Sequence, residues 1–154
     1  MNSTSDDDWV SVSPLSLSPE HLTDWAVRPA SGAVVTFCGT VRNSSTTGQN
    51  IISLEYETSV ELAEDRISQV VAEARRRWPA LVAIAVHHRI GNVMLGESAV
   101  VVAVSSAHRG DAFDAAKYCI DAVKGCVPMW KREVWDGGSV WSEESRGIVN
   151  VGDL

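Results

Sequence analysis

Ser98-Ala99-Val100-Val101-Val102-Ala103-Val104-Ser105-Ser106 is apolar at odd and even positions alike, a pattern that suits a strand covered on both faces. The run predicts an interior strand, and its flanks decide the fold class. Downstream, Ala107-His108-Arg109-Gly110-Asp111 leads into a helix predicted over Ala112 to Lys124. Asp111 is its expected cap, and Phe113, Ala116, Ile120 and Val123 form its inward face. Gly125 is expected to stop that helix and Pro128 bars its continuation, so Lys131-Arg132-Glu133-Val134-Trp135 starts a new extended run. Asp136-Gly137-Gly138-Ser139 turns that run back onto Val140-Trp141 as a hairpin.

Upstream, Gly91 to Gly96 reads as a turn and Leu81 to Ile90 as a strand. Val60 to Trp78 carries Leu62, Ile67, Val70, Val71 and Ala74 on one helical face, with Pro79 just past its end. The β-branched run Ala33 to Arg42 predicts a strand, and Ile51 to Tyr56 a second one expected to pair with it. Between them Asn43 to Asn50 is a polar loop with nothing to bury, expected to be mobile, either a plain hairpin loop or a lid. Ser18 and Pro19 open a helix running to about Val27, and Trp9 to Val12 fits a short strand. Strands and helices mix without regular βαβ alternation, which is an α+β pattern. One domain over residues 9–145 is expected, with a disordered acidic tail at 1–8 and a C-terminal tail at 146–154.

A chain of 154 residues with 45% hydrophobic content fits one soluble domain. No apolar run approaches the roughly 20 residues of a membrane span. The N-terminus is acidic where a signal peptide is basic and then apolar, so a cytosolic location is expected. Cys38, Cys119 and Cys126 contain no C-x-x-C pair and leave one thiol odd, which argues against a disulfide framework and a cysteine zinc site. The net charge of −7 disfavours nucleic acid. From Ser105 to Trp135, however, five basic residues face four acidic ones, a net of +1, against −8 for the remainder. A locally cationic segment on an acidic chain suggests a small anionic ligand.

Lys124 at a helix end and Lys131 at a strand start frame the apolar turn Gly125-Cys126-Val127-Pro128-Met129-Trp130. A turn that packs inward fixes both lysine stems over one pocket mouth. Lys117 lies seven residues before Lys124 on the same helical face and is a rival to it. His108-Arg109 sits where a buried strand hands over to a helix, a place that favours anions. Arg42 closes another strand. His87 and His88 are adjacent in a strand and point to opposite faces, so they cannot readily share a metal. Cys126 offers a separate route, a thiol nucleophile activated by flanking lysines. No phosphate-binding loop, dinucleotide fingerprint or nucleophile elbow is present.

Three motifs together carry a resemblance: Phe37-Cys38-Gly39-Thr40-Val41-Arg42-Asn43, Ser106-Ala107-His108-Arg109, and Lys124-Gly125-Cys126-Val127-Pro128-Met129-Trp130-Lys131-Arg132-Glu133. In this order, over roughly residues 30 to 142, the chain resembles the large, catalytic subunits of molybdopterin synthase. The resemblance implies an α/β-hammerhead fold with an additional antiparallel β subdomain. It implies a homodimer within a heterotetramer, each end carrying a small ubiquitin-like sulfur-carrier subunit with a C-terminal Gly-Gly thiocarboxylate. The implied reaction inserts two sulfurs into cyclic pyranopterin monophosphate to form the dithiolene of molybdopterin. No metal or cofactor on this chain is implied, since molybdenum enters later on other proteins. Carried over by position, Lys124 and Lys131 are catalytic. The substrate-contacting set is Thr40, Val41, Arg42, His108, Arg109, Lys124, Lys131, Arg132 and Glu133. Arg146 only loosely resembles a C-terminal basic residue that reaches the partner protomer's site. Two alternatives remain: a non-catalytic anion-binding or scaffold subunit, and a sulfurtransferase working through Cys126.

Overall fold

The computed structural model describes residues 3–45, 47–142 and 148–154, with Ser3 and Thr4 as backbone only. Along the chain run β1 (Ser3–Ser5), β2 (Asp8–Ser13), α1 (Pro19–Ala26), β3 (Ala33–Thr40), β4 (Ile51–Glu57), α2 (Val60–Arg77), β5 (Leu81–Arg89), β6 (Gly91–Met94), β7 (Ser98–Ser106), α3 (Arg109–Cys126), β8 (Trp130–Trp135) and β9 (Gly138–Trp141). A 3-10 turn at Val151–Asp153 follows. The strands form a five-stranded sheet in the order β1-β2-β5-β7-β3 and a four-stranded sheet in the order β6-β4-β8-β9. β2 and β5 run parallel, whereas the second sheet is antiparallel throughout. This is the expected α+β class with an additional antiparallel β subdomain.

β7 lies between β5 and β3, and its two faces enter different cores. Val100, Val102 and Val104 join Ile67 and Val71 of α2 and Cys119 and Ile120 of α3. Val101 and Ala103 meet Leu22 and Ala26 of α1. Period-two burial on both sides explains a run with no polar face. Polar bonds fix the helices around it. Ser18 Oγ accepts from the His21 amide at 3.2 Å, and Ser59 Oγ accepts from the Leu62 amide at 3.4 Å. Buried Glu64 accepts from the Val12 amide at 3.0 Å, tying α2 to β2. Arg75 binds Asp8 Oδ1 and donates to the carbonyls of Asp7, Leu81 and Val82, so one guanidinium joins the N-terminal strand to the α2–β5 turn.

Several expectations need correction. Part of the segment read as a disordered tail is ordered, because Ser3–Ser5 pairs antiparallel with Asp8–Val10. β4 does not pair with β3; it lies between β6 and β8 in the second sheet. The chain changes sheets after a register shift at Gly39/Thr40, where Val41 turns into a third core with Ile51, Leu54, Val93 and Ala99. Gly91–Met94, read as a turn, is the strand beside β4. α3 starts at Arg109 with His108 as an N-cap that makes no side-chain bond, and it continues through Gly125 to Cys126. Pro128 sets that end by pushing Val127 out of the helical region, to φ −95° and ψ 120°. Phe113 and Leu62, assigned inward faces, are 60% and 44% exposed. Leu62 lies in the first turn of α2, and Phe113 flanks the buried face of α3 that Ala112, Ala115 and Ala116 form.

His87 and His88 do point to opposite faces. His87 is buried with its ring 4.4 Å from that of Trp9, and His88 is buried 5.0 Å from Tyr56. Burial first, then the charge of His21, draws the His87 pKa down to about 4. A lowered pKa in the fold means acid favours the unfolded chain. The contribution is whole above the ordinary value of 6.5 and is lost as pH falls towards 4. In urea denaturation, His87→Phe should reduce the loss of stability between pH 8 and pH 5 by roughly 2 kcal/mol. An unchanged slope would mean that His87 does not resist protonation in the fold.

Candidate active site

The two sheets meet where β7 and β3 end, and two adjoining hollows open at that junction. The one lying against α3, the inner, is about 410 Å³ and is walled by Val100, Ile120, Val123, Val127, Met129 and Ile148, together with Tyr56, His88, Lys124 and Lys131. The one lying against β3, the outer, is about 370 Å³ and more polar, with Thr40, Arg42, Ser44, Ser45, Glu133 and Ser142 on its wall. Tyr56, Val100, Lys124 and Lys131 belong to both. The two lysines therefore stand at the boundary between an apolar chamber and a polar one.

Local structure explains each placement. α3 packs on β7 through Ala116, Ile120 and Val123, and its last turn carries Lys124 past the end of the first sheet. The turn after it is anchored by Cys126 and Val127, which are 0% and 2% exposed. Thr58 Oγ1 holds the Pro128 carbonyl at the start of β8. In β8 alternate side chains take opposite faces. Lys131 lies opposite Tyr56 and Glu133 opposite Leu54, on the side of the hollows, whereas Arg132 lies opposite Glu55 on the far side. Gly39 permits the close approach of β3 to β7, since a Cβ there would sit 2.6 Å from Val100 Cγ1. The Asn43–Asn50 loop is bridged at Ser44 and Asn50, and Ser44 and Ser45 reach the outer wall.

The last residues close the inner chamber. The Val149 amide donates to the Gly125 carbonyl at 2.9 Å, and Arg66 donates to the carbonyls of Cys126 and Val149, both at 3.4 Å. Ile148 is thereby held in the wall. Arg146 lies outside the described residues.

Of the residues read from the sequence, Thr40, Arg42, Lys124, Lys131 and Glu133 line this junction. Val41 is next to them but is a packing residue, 3% exposed. Arg132 is tied to Glu55 on the outer face of the second sheet, with Trp141 5.8 Å from its guanidinium. His108 and Arg109 are exposed at the opposite end of α3 from Lys124, a separation of about 22 Å along a helix axis. Lys117 is no rival to Lys124: it reaches neither hollow and pairs with Asp121 at 2.7 Å in solvent. Tyr56 and His88 were missed. His88 was weighed only as a metal ligand, and Tyr56 only as a strand residue.

Among the described residues the junction carries net positive charge: Arg42, Lys124 and Lys131 line it against one carboxylate, Glu133. The His88 pKa is drawn to about 4 by burial, against the bond to the Arg89 carbonyl and with help from Lys124, so at neutral pH it adds no charge. The Cys126 thiol is pushed up by burial, the reverse of what an activated nucleophile needs. The site can thus hold two anionic groups side by side and stabilise negative charge that develops between them. Among the described residues no cluster of three or more metal-ligating side chains occurs, and no helix is long and apolar enough to cross a membrane.

Residues 12–125 match the family described as MoaE protein. The molybdopterin synthase catalytic subunit of Taeniopygia guttata is 38% identical over 88% of this chain and 87% of its own length. That of Thermoplasma volcanium is 44% identical over 85% of this chain and 94% of its own. The X-ray crystal structure of molybdopterin synthase from Staphylococcus aureus superposes with a TM-score of 0.79 at 37% identity, covering 85% of this chain and 94% of that one. A protein–protein complex of subunits 1 and 2 of the molybdopterin-converting factor from Helicobacter pylori shares the fold at 20% identity and a TM-score of 0.73. By sequence and by architecture, the chain belongs to the MoaE protein family, that of the molybdopterin synthase catalytic subunits.

Proposed function

We propose that this chain takes sulfur from the C-terminal thiocarboxylate of a small ubiquitin-like carrier and delivers two sulfurs to cyclic pyranopterin monophosphate, forming a dithiolene. The observation that carries the reading is the position of Lys124 and Lys131, brought from a helix end and a strand start to the boundary of two adjoining hollows. The inner chamber suits a tail ending in glycines, which has no side chains to clash with Val100, Ile120 and Met129. The outer one, with Arg42, Thr40 and two serines, suits a phosphate-bearing heterocycle. At the boundary, thiocarboxylate sulfur attacks a substrate carbon, an oxygen on that carbon leaves with the electron pair of its C–O bond and takes up a proton, and a carrier–substrate thioester remains. Water then cleaves it, leaving sulfur on the substrate and a carboxylate on the carrier. Lys124 and Lys131 hold the incoming anion and offset the charge on the tetrahedral intermediates.

The separation of His108 and Arg109 from Lys124 gives the expected homodimer a part in the chemistry. Within one chain they cannot contact a substrate held by the lysines, so their role in substrate binding requires that they come from a second copy. Arg132 then acts through β8, where its pairing with Glu55 fixes the strand that presents Lys131 and Glu133. The working unit is a single domain in a cytosolic heterotetramer, and it takes in β1 and the closing residues 148–154 as well as the expected 9–145. A buried Cys126 favours this reading over a thiol-dependent one.

Lys131→Ala and Lys124→Ala should each lower dithiolene formation by about a hundredfold or more, with the fold intact, whereas Lys117→Ala stays within about twofold. The assay is conversion of the pyranopterin precursor by a thiocarboxylated carrier, and full activity of Lys131→Ala would remove it from the mechanism. Cys126→Ser should turn over at a near-normal rate, and its inactivity with an unchanged melting temperature would reinstate the thiol route. Mixing inactive Arg109→Ala and Lys131→Ala chains should restore part of the activity, because a mixed dimer holds one complete site. No recovery after subunit exchange would mean that Arg109 of one copy does not complete the site that holds Lys131 of the other.

A further inference from the structure

His88 lines the inner chamber beside Lys124, Lys131 and Tyr56, and it is 7% exposed. Its Nδ1 lies 2.7 Å from the Arg89 carbonyl oxygen. A carbonyl only accepts, so Nδ1 carries the proton. In the neutral ring the other nitrogen, Nε2, is then an acceptor with a lone pair. The ring cannot easily turn away, because the edge contact with Tyr56 at 5.0 Å holds its plane. A proton at Nε2 is also resisted, since burial and the Lys124 ammonium both lower the basicity of this imidazole. The chamber thus contains a fixed, uncharged acceptor in a wall otherwise furnished with apolar groups, cations and the Tyr56 phenol.

Lys124 needs such a group. Its residue is exposed, its stem has four rotatable carbons, and no hydrogen bond or ion pair ties it to any of the described residues. Lys117, one turn-pair earlier, is held by Asp121. A carboxylate could hold Lys124 as well, but it would cancel the charge the site needs and repel an anionic tail. A neutral imidazole orients an ammonium without neutralising it.

We propose that His88 is a positioning residue for Lys124: the untethered lysine stem swings its ammonium to Nε2, which accepts a hydrogen bond from it and fixes that cation on the wall of the chamber both residues line. This rests on the sulfur-transfer reading for the importance of Lys124, but the contact itself can be read without turnover. The groups facing the imidazole are Lys124 from α3 and Lys131 and Tyr56 from the second sheet, with Arg89 following it in β5.

The test compares His88→Phe, which keeps ring volume and removes both nitrogens, with His88→Gln, whose amide oxygen can stand near the Nε2 position. His88→Phe should lower kcat by about tenfold or more, the scale of one hydrogen bond to a charged group, with KM for the carrier within about twofold. His88→Gln should recover most of the loss. Equal losses in both variants, or none in either, would overturn the proposal. In parallel, ¹H–¹⁵N spectra of the wild-type protein should show His88 as the Nδ1–H tautomer. They should also show a Lys124 ammonium signal slowed in exchange, which broadens in His88→Phe and returns in His88→Gln. An Nε2–H tautomer, or a Lys124 signal indifferent to both substitutions, would refute the contact even with normal catalysis. A wild-type protein that makes no dithiolene but shows these spectra would instead count against the sulfur-transfer reading alone.

Discussion

The register of β8 against β4 is the constraint on which the site depends. Tyr56 opposite Lys131 and Leu54 opposite Glu133 put one lysine and one carboxylate on the inner side, and Glu55 opposite Arg132 puts an ion pair on the outer side. Side chains alternate with a period of two, so a slip by one residue would put Trp130 in place of Lys131 and remove the second cation, or put Arg132 there and take its guanidinium away from Glu55. Three features hold the register. Leu54 sits in the third core with Val41, Ile51, Val93 and Ala99; Glu55 grips Arg132; and the β8–β9 hairpin turns at Gly137, whose φ of 91° suits glycine. The core contact also locks the second sheet to the ends of β3 and β7, so that the position of Lys131 is tied to that of Lys124.

Much of this was legible in the sequence, and the boundary of legibility has a physical form. Ser98–Ser106 showed its place because burial on two faces leaves a mark at every position. Ser18-Pro19 showed a helix start because the cap is a local bond. The Lys124 to Glu133 stretch exposed the site because an apolar turn between two lysines is itself a local arrangement. What failed depended on long-range partners. Nothing within Ile51–Tyr56 tells whether its neighbour is β3 or β8, since pairing choice is made by the core that the strand's inner face enters. Gly125 was read as a helix stop, yet the stop belongs to Pro128. Phe113 was placed inward by its spacing, although the buried face of the helix there runs through Ala112, Ala115 and Ala116.

The site residues divide along the same line. Arg42, Lys124 and Lys131 are cations at element ends, where a polar group on an ordered backbone has solvent or a ligand as its natural partner, and these were found. His88 is a buried polar residue in the middle of β5, where the ordinary expectation is a packed ring. Its adjacency to His87 drew attention to a metal rather than to the cavity. Arg132 was over-read because a motif does not say which face of the strand a residue takes. His108 and Arg109 have the composition of an anion site, and the fold shows that composition and position are separate matters: the helix that carries Arg109 at one end and Lys124 at the other keeps them apart.

That separation also bears on why an acidic chain keeps a cationic centre. An anionic protein repels free phosphates, but with a Debye length of about 8 Å at physiological salt that repulsion is felt only close to the surface. Positive charge set in a recess between two sheets acts where screening is weak and the surrounding groups are apolar. The inner chamber, walled by Val100, Ile120, Val123 and Met129, lowers the local dielectric around Lys124 and Lys131 and so strengthens their pull on an anion that has entered. Glu133 on the outer wall moderates the same field on the polar side. The difference between the two sides favours an anion at their boundary, where both lysines line the two hollows together.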